Sequence, residues 1–158
     1  MEFGGDLWDS TAVAELILDG GPILLLDGKG RVTIPTRSRE VLKALCEDKL
    51  TITKSLRRCL TIFPRPLYET FRAKILAWPM DNDDWRRLFV AGSAPVEIDS
   101  ASRVLVPPEL REWAGIEKDV YLFGMCQRFE LWDKARYDAH EATVMASRPP
   151  EELRNMVL

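Results

Sequence analysis

The stretch 27-DGKGRVTIP-35 returns seventy-two positions later as 99-DSASRVLVP-107. Each copy opens on Asp, places Arg four residues on, runs through a short apolar stretch and stops at Pro. Around the first copy, 23-ILLLD-27 reads as a buried strand and 28-GKG-30 as a turn, where Gly supplies positive backbone angles. Val and Ile in 31-RVTI-34 suit a return strand, which Pro35 ends because it cannot donate to a ladder. A helix over 36–45 follows, with Val41, Leu42 and Leu45 inward. Strands over 49–53 and 59–63 come next, then a helix that begins between Pro64 and Pro66 and carries Leu67, Phe71 and Ile75.

The second copy repeats that order. Strands over 96–99 and 103–106 flank the turn 100–102. Pro107 leads into a helix over 109–114, and strands over 119–124 and 128–132 precede a helix capped by Asp133. The later strands correspond at an offset of sixty-nine, as in 59-CLTIFP-64 against 128-RFELWD-133. Between the copies, 79–84 reads as a linker and 85–91 as a short amphipathic helix. A lone hairpin cannot bury its apolar face, so two β-hairpin, helix, β-hairpin units should pack on each other.

Composition narrows the function. The 158 residues are 46% hydrophobic and 30% charged, normal for a globular chain, and no apolar run reaches the roughly 18–20 residues of a membrane span. Cys46, Cys59 and Cys126 are odd in number and scattered, which reads as buried thiols in a reducing, cytoplasmic compartment. The single histidine, His140, leaves zinc sites and Ser-His-Asp triads little to build from, and no phosphate-binding Gly-Lys loop is present. Asp81, Asp83 and Asp84 read as a capped linker. The expectation is a protein without catalytic residues, metal or cofactor.

The net charge of −3 hides an asymmetry. From Lys29 to Arg65 there are ten basic residues against three acidic ones, a balance of +7. From Glu97 to Asp133 there are four against eight, a balance of −4. Charges more than about 10 Å apart are screened at moderate salt, so local fields decide what binds. Lys29 and Arg31 flank a rigid turn and can reach phosphates, and Arg can also take a guanine edge. Their alternative is a solvated turn with Arg31 paired to Asp27. Arg37 and Arg39 are either solvated helix face or phosphate contacts, and Arg57 and Arg58 a second, solvated basic turn. For Arg103 a structural pair with Asp99 is preferred. Glu130 and Trp132 are placed on alternating strand faces, in rim and core.

These phrases, with Arg39, Arg111 and the closing 122-LFGMCQRFELWD-133, resemble the MraZ family of bacterial transcriptional regulators, built from two SpoVT/AbrB-like halves. The resemblance runs from about Gly20 to the C-terminus. It implies an α+β fold in which tandem pseudo-twofold β-hairpin/helix repeats form an AbrB-like swapped-hairpin barrel with flanking helices. The expected division is a dispensable N-terminal extension over 1–20, a basic, DNA-facing repeat over 21–68, connecting helices over 69–92, an acidic repeat for structure and oligomerisation over 93–136, and a C-terminal helix and tail over 137–158. Lys29, Arg31, Arg37 and Arg39 are the DNA-binding candidates. Asp27, Gly30, Pro35, Asp99, Arg103 and Pro107 form the structural motif. The implied partners are double-stranded promoter DNA carrying tandem repeats and further copies of the chain in a ring, with no membrane, in the cytoplasm and on the nucleoid. The implied function is repression of its own operon, upstream of the division and cell-wall gene cluster. The other reading is an antitoxin-like interaction module. Ser102 stands where the family has Gly, which predicts a different geometry for the second turn.

Overall fold

The computed structural model describes residues 18–79 and 83–156. The helical pattern through Leu7, Val13, Leu16 and Ile17, and Asp81, lie outside them. Strands β1 (Ile23–Leu25) and β2 (Arg31–Thr33) lead to helix α1 (Thr36–Cys46), then β3 (Lys49–Lys54), β4 (Leu60–Pro64) and α2 (Arg65–Ala77). A single turn, α3 (Asp84–Arg86), runs into a π-helical turn over Arg87–Ala91. The second copy comprises β5 (Ala94–Glu97), β6 (Arg103–Leu105), α4 (Pro108–Trp113), β7 (Asp119–Gly124), β8 (Phe129–Asp133) and α5 (Lys134–Ala146), with α6 (Glu151–Arg154) after it.

Six strands form one antiparallel sheet in the order β1-β7-β8-β4-β3-β5, and β2 pairs with β6 in a separate two-stranded ribbon. The hairpin expected between 23–27 and 31–34 therefore has its turn but no ladder of its own. Its first strand pairs with β7 of the second copy and its second with β6. In the same way β5 leaves β6 and pairs with β3 of the first copy. Exchanging the two copies maps the sheet order onto its own reverse. The pseudo-twofold axis passes between equivalent residues: Val32 opposite Val104 in the ribbon, and Thr61 opposite Glu130 where β4 meets β8. The molecule is thus an α+β fold in which each repeat completes the other's sheet.

One apolar core serves both copies, joining Val32, Ile34, Leu42, Ile52 and Ile62 from the first to Val104, Val106, Leu122, Phe129 and Leu131 from the second. Its burial supplies most of the folding drive, at about 1.5–3 kcal/mol per large side chain. Leu18, also fully buried, joins this core, and its backbone pairs with Cys126 alongside β7.

Several local expectations are corrected. The strand at 23–27 is not buried throughout: β1 is a sheet edge, and Ile23 and Leu25 are 55% and 60% exposed while Leu26 is buried. The 85–91 segment buries no residue, and its last turn is π-helical, closed by the Gly92 N–H donating to the Arg87 carbonyl at 2.9 Å. Cys46 and Cys59 are buried, but Cys126 is exposed in the β7–β8 turn. Glu130 and Trp132, two residues apart on β8, share a face, and the indole N–H donates to Glu130 Oε1 at 3.0 Å.

Candidate nucleic-acid interface

The two Asp turns are near copies in space as well as in sequence. In the first, Asp27 Oδ1 accepts from the backbone N–H groups of Lys29 and Arg31, each at 2.9 Å. The Asp27 N–H donates to the Arg31 carbonyl at 2.9 Å and the Gly30 N–H to the Asp27 carbonyl at 3.0 Å. The second repeats all four bonds with Asp99, Ala101, Ser102 and Arg103 in the matching places, at the same lengths. The different geometry expected from Ser102 is not found. Gly30 has φ +82° and Ser102 adopts φ +65°, a left-handed conformation that costs a non-glycine residue roughly 1–2 kcal/mol.

What holds Ser102 there is Arg39. This arginine leaves α1 and grips Asp48 bidentately, both bonds at 3.2 Å, while its remaining terminal nitrogen donates to Ser102 Oγ. Across the pseudo-twofold axis Arg111 does the corresponding work: its Nε donates to the Val106 carbonyl at 2.9 Å, and its guanidinium lies where a side chain on Gly30 would begin. Each helix arginine thus packs on the other copy's turn. Pro35 and Pro107 stop the ribbon strands and start these helices, their carbonyls accepting from Ser38 and Arg39 in one copy and from Leu110 and Arg111 in the other.

The ribbon itself has two faces. Val32 and Val104 point into the core, so Arg31, Thr33, Arg103 and Leu105 point outward together. Arg31 Nε donates to Asp27 Oδ2 at 2.7 Å, and among the described residues no hydrogen bond engages its terminal nitrogens. Arg103 lies within 3.3 Å of Asp99 Oδ2 through Nε and within 3.8 Å of Asp27 Oδ2 through Nη1. Lys29 is exposed on the turn tip, and Arg37 is exposed on α1, donating to the Asp19 carbonyl at 3.1 Å. Backbone N–H donation from Arg31, with the guanidinium beside it, pulls the Asp27 carboxyl down to about 2, and the matching bond from Arg103 lowers Asp99. Both carboxylates stay ionised at neutral pH and hold their arginines in place.

The second basic turn differs in character: Arg58 lies over the Trp113 ring at 5.2 Å and donates to the Trp113 carbonyl at 3.2 Å, tying the first copy to the second. Among the described residues no group of three His, Cys, Asp or Glu side chains is placed to hold a metal ion, and no helix is long and apolar enough to cross a membrane.

A family model described as MraZ protein, putative antitoxin-like, matches the chain twice, over residues 23–91 and 88–155. The chain belongs to the MraZ family. The two matches coincide with the two intertwined copies. The chain is 51% identical over 141 residues to the transcriptional regulator MraZ of Methylibium petroleiphilum, a match spanning 89% of this chain and 97% of that protein. To the protein of the same name from Burkholderia cenocepacia it is 49% identical over 139 residues, 88% of this chain and 98% of the other. To that of Burkholderia mallei it is 50% identical over the same length. Within this MraZ fold, reading the chain as a basic and an acidic half separates Arg31 from Arg103, whereas the ribbon puts them on one face. The signal was available: matched phrases seventy-two residues apart imply matched positions about a twofold axis.

Proposed function

We propose that this chain is a sequence-specific DNA-binding transcriptional regulator that meets DNA with the outward face of the β2–β6 ribbon. The observation that carries the reading is that face: Arg31 and Arg103 side by side, each oriented by its own ionised aspartate, with Lys29 beyond them on the turn and Arg37 on α1. A two-stranded ribbon fits the major groove, and Arg31, held by Nε, keeps its terminal N–H groups for phosphate or for a guanine edge. Arg39, committed to Asp48 and Ser102, positions the turn rather than touching DNA. In keeping with the resemblance, its operator is a set of tandem repeats upstream of the division and cell-wall gene cluster, it represses its own operon, and it works as a ring-shaped homo-oligomer in the cytoplasm, on the nucleoid.

The test is a gel shift on DNA upstream of its own gene, wild type against Arg31→Ala. Losing one such contact costs about 1–3 kcal/mol per subunit, so the variant should bind at least tenfold more weakly with its oligomer intact. Unchanged affinity would remove the ribbon from the interface. The second reading, an antitoxin-like interaction module, has the family description and the −4 balance of the second copy in its favour. It predicts no shift of that fragment at any salt concentration.

A further inference from the structure

Twelve large apolar side chains are exposed among the described residues, and seven of them, Trp78 among these, fall into two patches. Leu56 and Trp85, 74% and 46% exposed, line a cavity of about 650 Å³ between α2, the π turn and the β3–β4 pair. Its apolar wall includes Phe63, Phe71 and Phe89, with Phe63 and Phe71 stacked at 5.2 Å and Trp85 and Phe89 at 6.2 Å. Lys54, Arg57 and Arg128 also line it, against one carboxylate among the described residues, Glu130, which stands 3.8 Å from Arg128. The other patch is the end of the chain. Val144, Met145, Leu153 and Met156 are exposed there, as is every described residue from Glu141 onward, and neither α5 nor α6 buries a residue. This segment carries Glu141, Glu151 and Glu152 against Arg148 and Arg154, and Arg154 Nε is spent on the Pro149 carbonyl at 3.1 Å. The first turns of α5 pack on β7 and β8 through Tyr137 and His140, but the exposed stretch beyond them does not. Short helical segments without a packing surface are marginal in water, so that stretch gains its order from a partner.

We propose that the C-terminal segment of one copy seats in this aromatic cavity of a second copy, its carboxylates facing Lys54, Arg57 and Arg128. Each chain offers one cavity and one apolar tail, so a second copy covers both patches at once. The contact is head-to-tail, the kind that closes into rings or continues as filaments. The inference rests on the homo-oligomer reading above and names its interface.

The experiment uses the full chain without DNA, so its outcome is read independently of operator binding. Mass is measured by analytical ultracentrifugation for Leu56→Asp, Trp85→Asp and Met145→Asp, with circular dichroism melts confirming that these exposed positions leave the fold intact. Each variant alone should fall to the 18.1 kDa monomer. An equimolar mixture of Trp85→Asp and Met145→Asp should form dimers and nothing larger, because only the intact cavity of one can take the intact tail of the other. Three outcomes overturn the proposal: a parent chain that is monomeric, a Met145→Asp variant of parental size, or a mixture that stays monomeric. A cavity that serves a small amphipathic anion, or the tail of its own chain, would give one of these.

Discussion

Asp27 and Ser102 show how much the two ribbon turns depend on single side chains. Asp27 is ionised in both folded and unfolded chains above about pH 4, so its stabilising contribution is complete there. Below that the unfolded carboxyl protonates while the folded one, held down to about 2, stays ionised, so the contribution shrinks steadily and is gone once the pH falls through that lower value. Acid should therefore loosen the turn between about pH 4 and pH 2. A carboxyl NMR titration should place the Asp27 midpoint near 2 and that of Asp99 below the ordinary aspartate value. An ordinary midpoint for Asp27 would mean that the backbone bonds to Lys29 and Arg31 are not made. Ser102 carries two opposed effects, the cost of a positive φ and the gain of the bond from Arg39. Ser102→Ala keeps the cost and loses the gain, so urea unfolding should show a loss of about 1.5–3 kcal/mol. Ser102→Gly relieves the backbone as well and should lose clearly less. Equal losses would show that strain is absent.

At the scale of elements, the edge of the large sheet is sealed by backbone against backbone. Gly124 on β7 donates its N–H to the Gly20 carbonyl at 2.7 Å, and a Cβ there would stand 2.4 Å from the Leu18 carbonyl carbon. A side-chain neighbour could rotate away, but this one is main chain on both sides. Gly124→Ala should therefore push residues 18–20 off β7 and uncover Leu18, costing about 2 kcal/mol or more, in the range of a large core truncation. Hydrogen exchange should speed up at the Gly124 and Cys126 amides and stay slow at β4. Unchanged protection at Cys126 would mean that β7 shifts instead.

On the proposed function, the whole molecule sets how tightly DNA is held. One ribbon offers a few cations, so a lone repeat should be bound mainly through phosphate contacts. Displacing counterions from about 4–8 phosphates across adjacent subunits predicts a log-log salt slope of roughly −4 to −7. Subunits joined in one assembly turn later contacts into intramolecular ones, adding on the order of 10²-fold on multi-repeat DNA. Titrating one-, two- and three-repeat probes at two salt concentrations measures both effects. Equal affinity for all three probes would exclude avidity while leaving DNA binding itself intact.

The repeat, its strands and its helices were legible because they are local. Val and Ile runs, Gly turns and Pro stops act over a few residues, and two copies of one phrase announce two copies of one unit. Asp133 as a helix cap is of this kind: its carboxylate accepts from the Arg136 N–H at 3.2 Å. Pairing across the copies has no local signature. A strand such as β1 satisfies its backbone equally well on β2 or on β7, and the choice falls to β7 because only that exchange lets two half-cores merge into one. The outward ribbon face with Arg103 beside Arg31, the bond from Arg39 that keeps Ser102 left-handed, and the exposure of Ile23, Leu25 and Cys126 all follow from that exchange. The chain's own order of residues determined which pieces form. Burial of a shared apolar core, a property of the assembled molecule, decided which pieces meet.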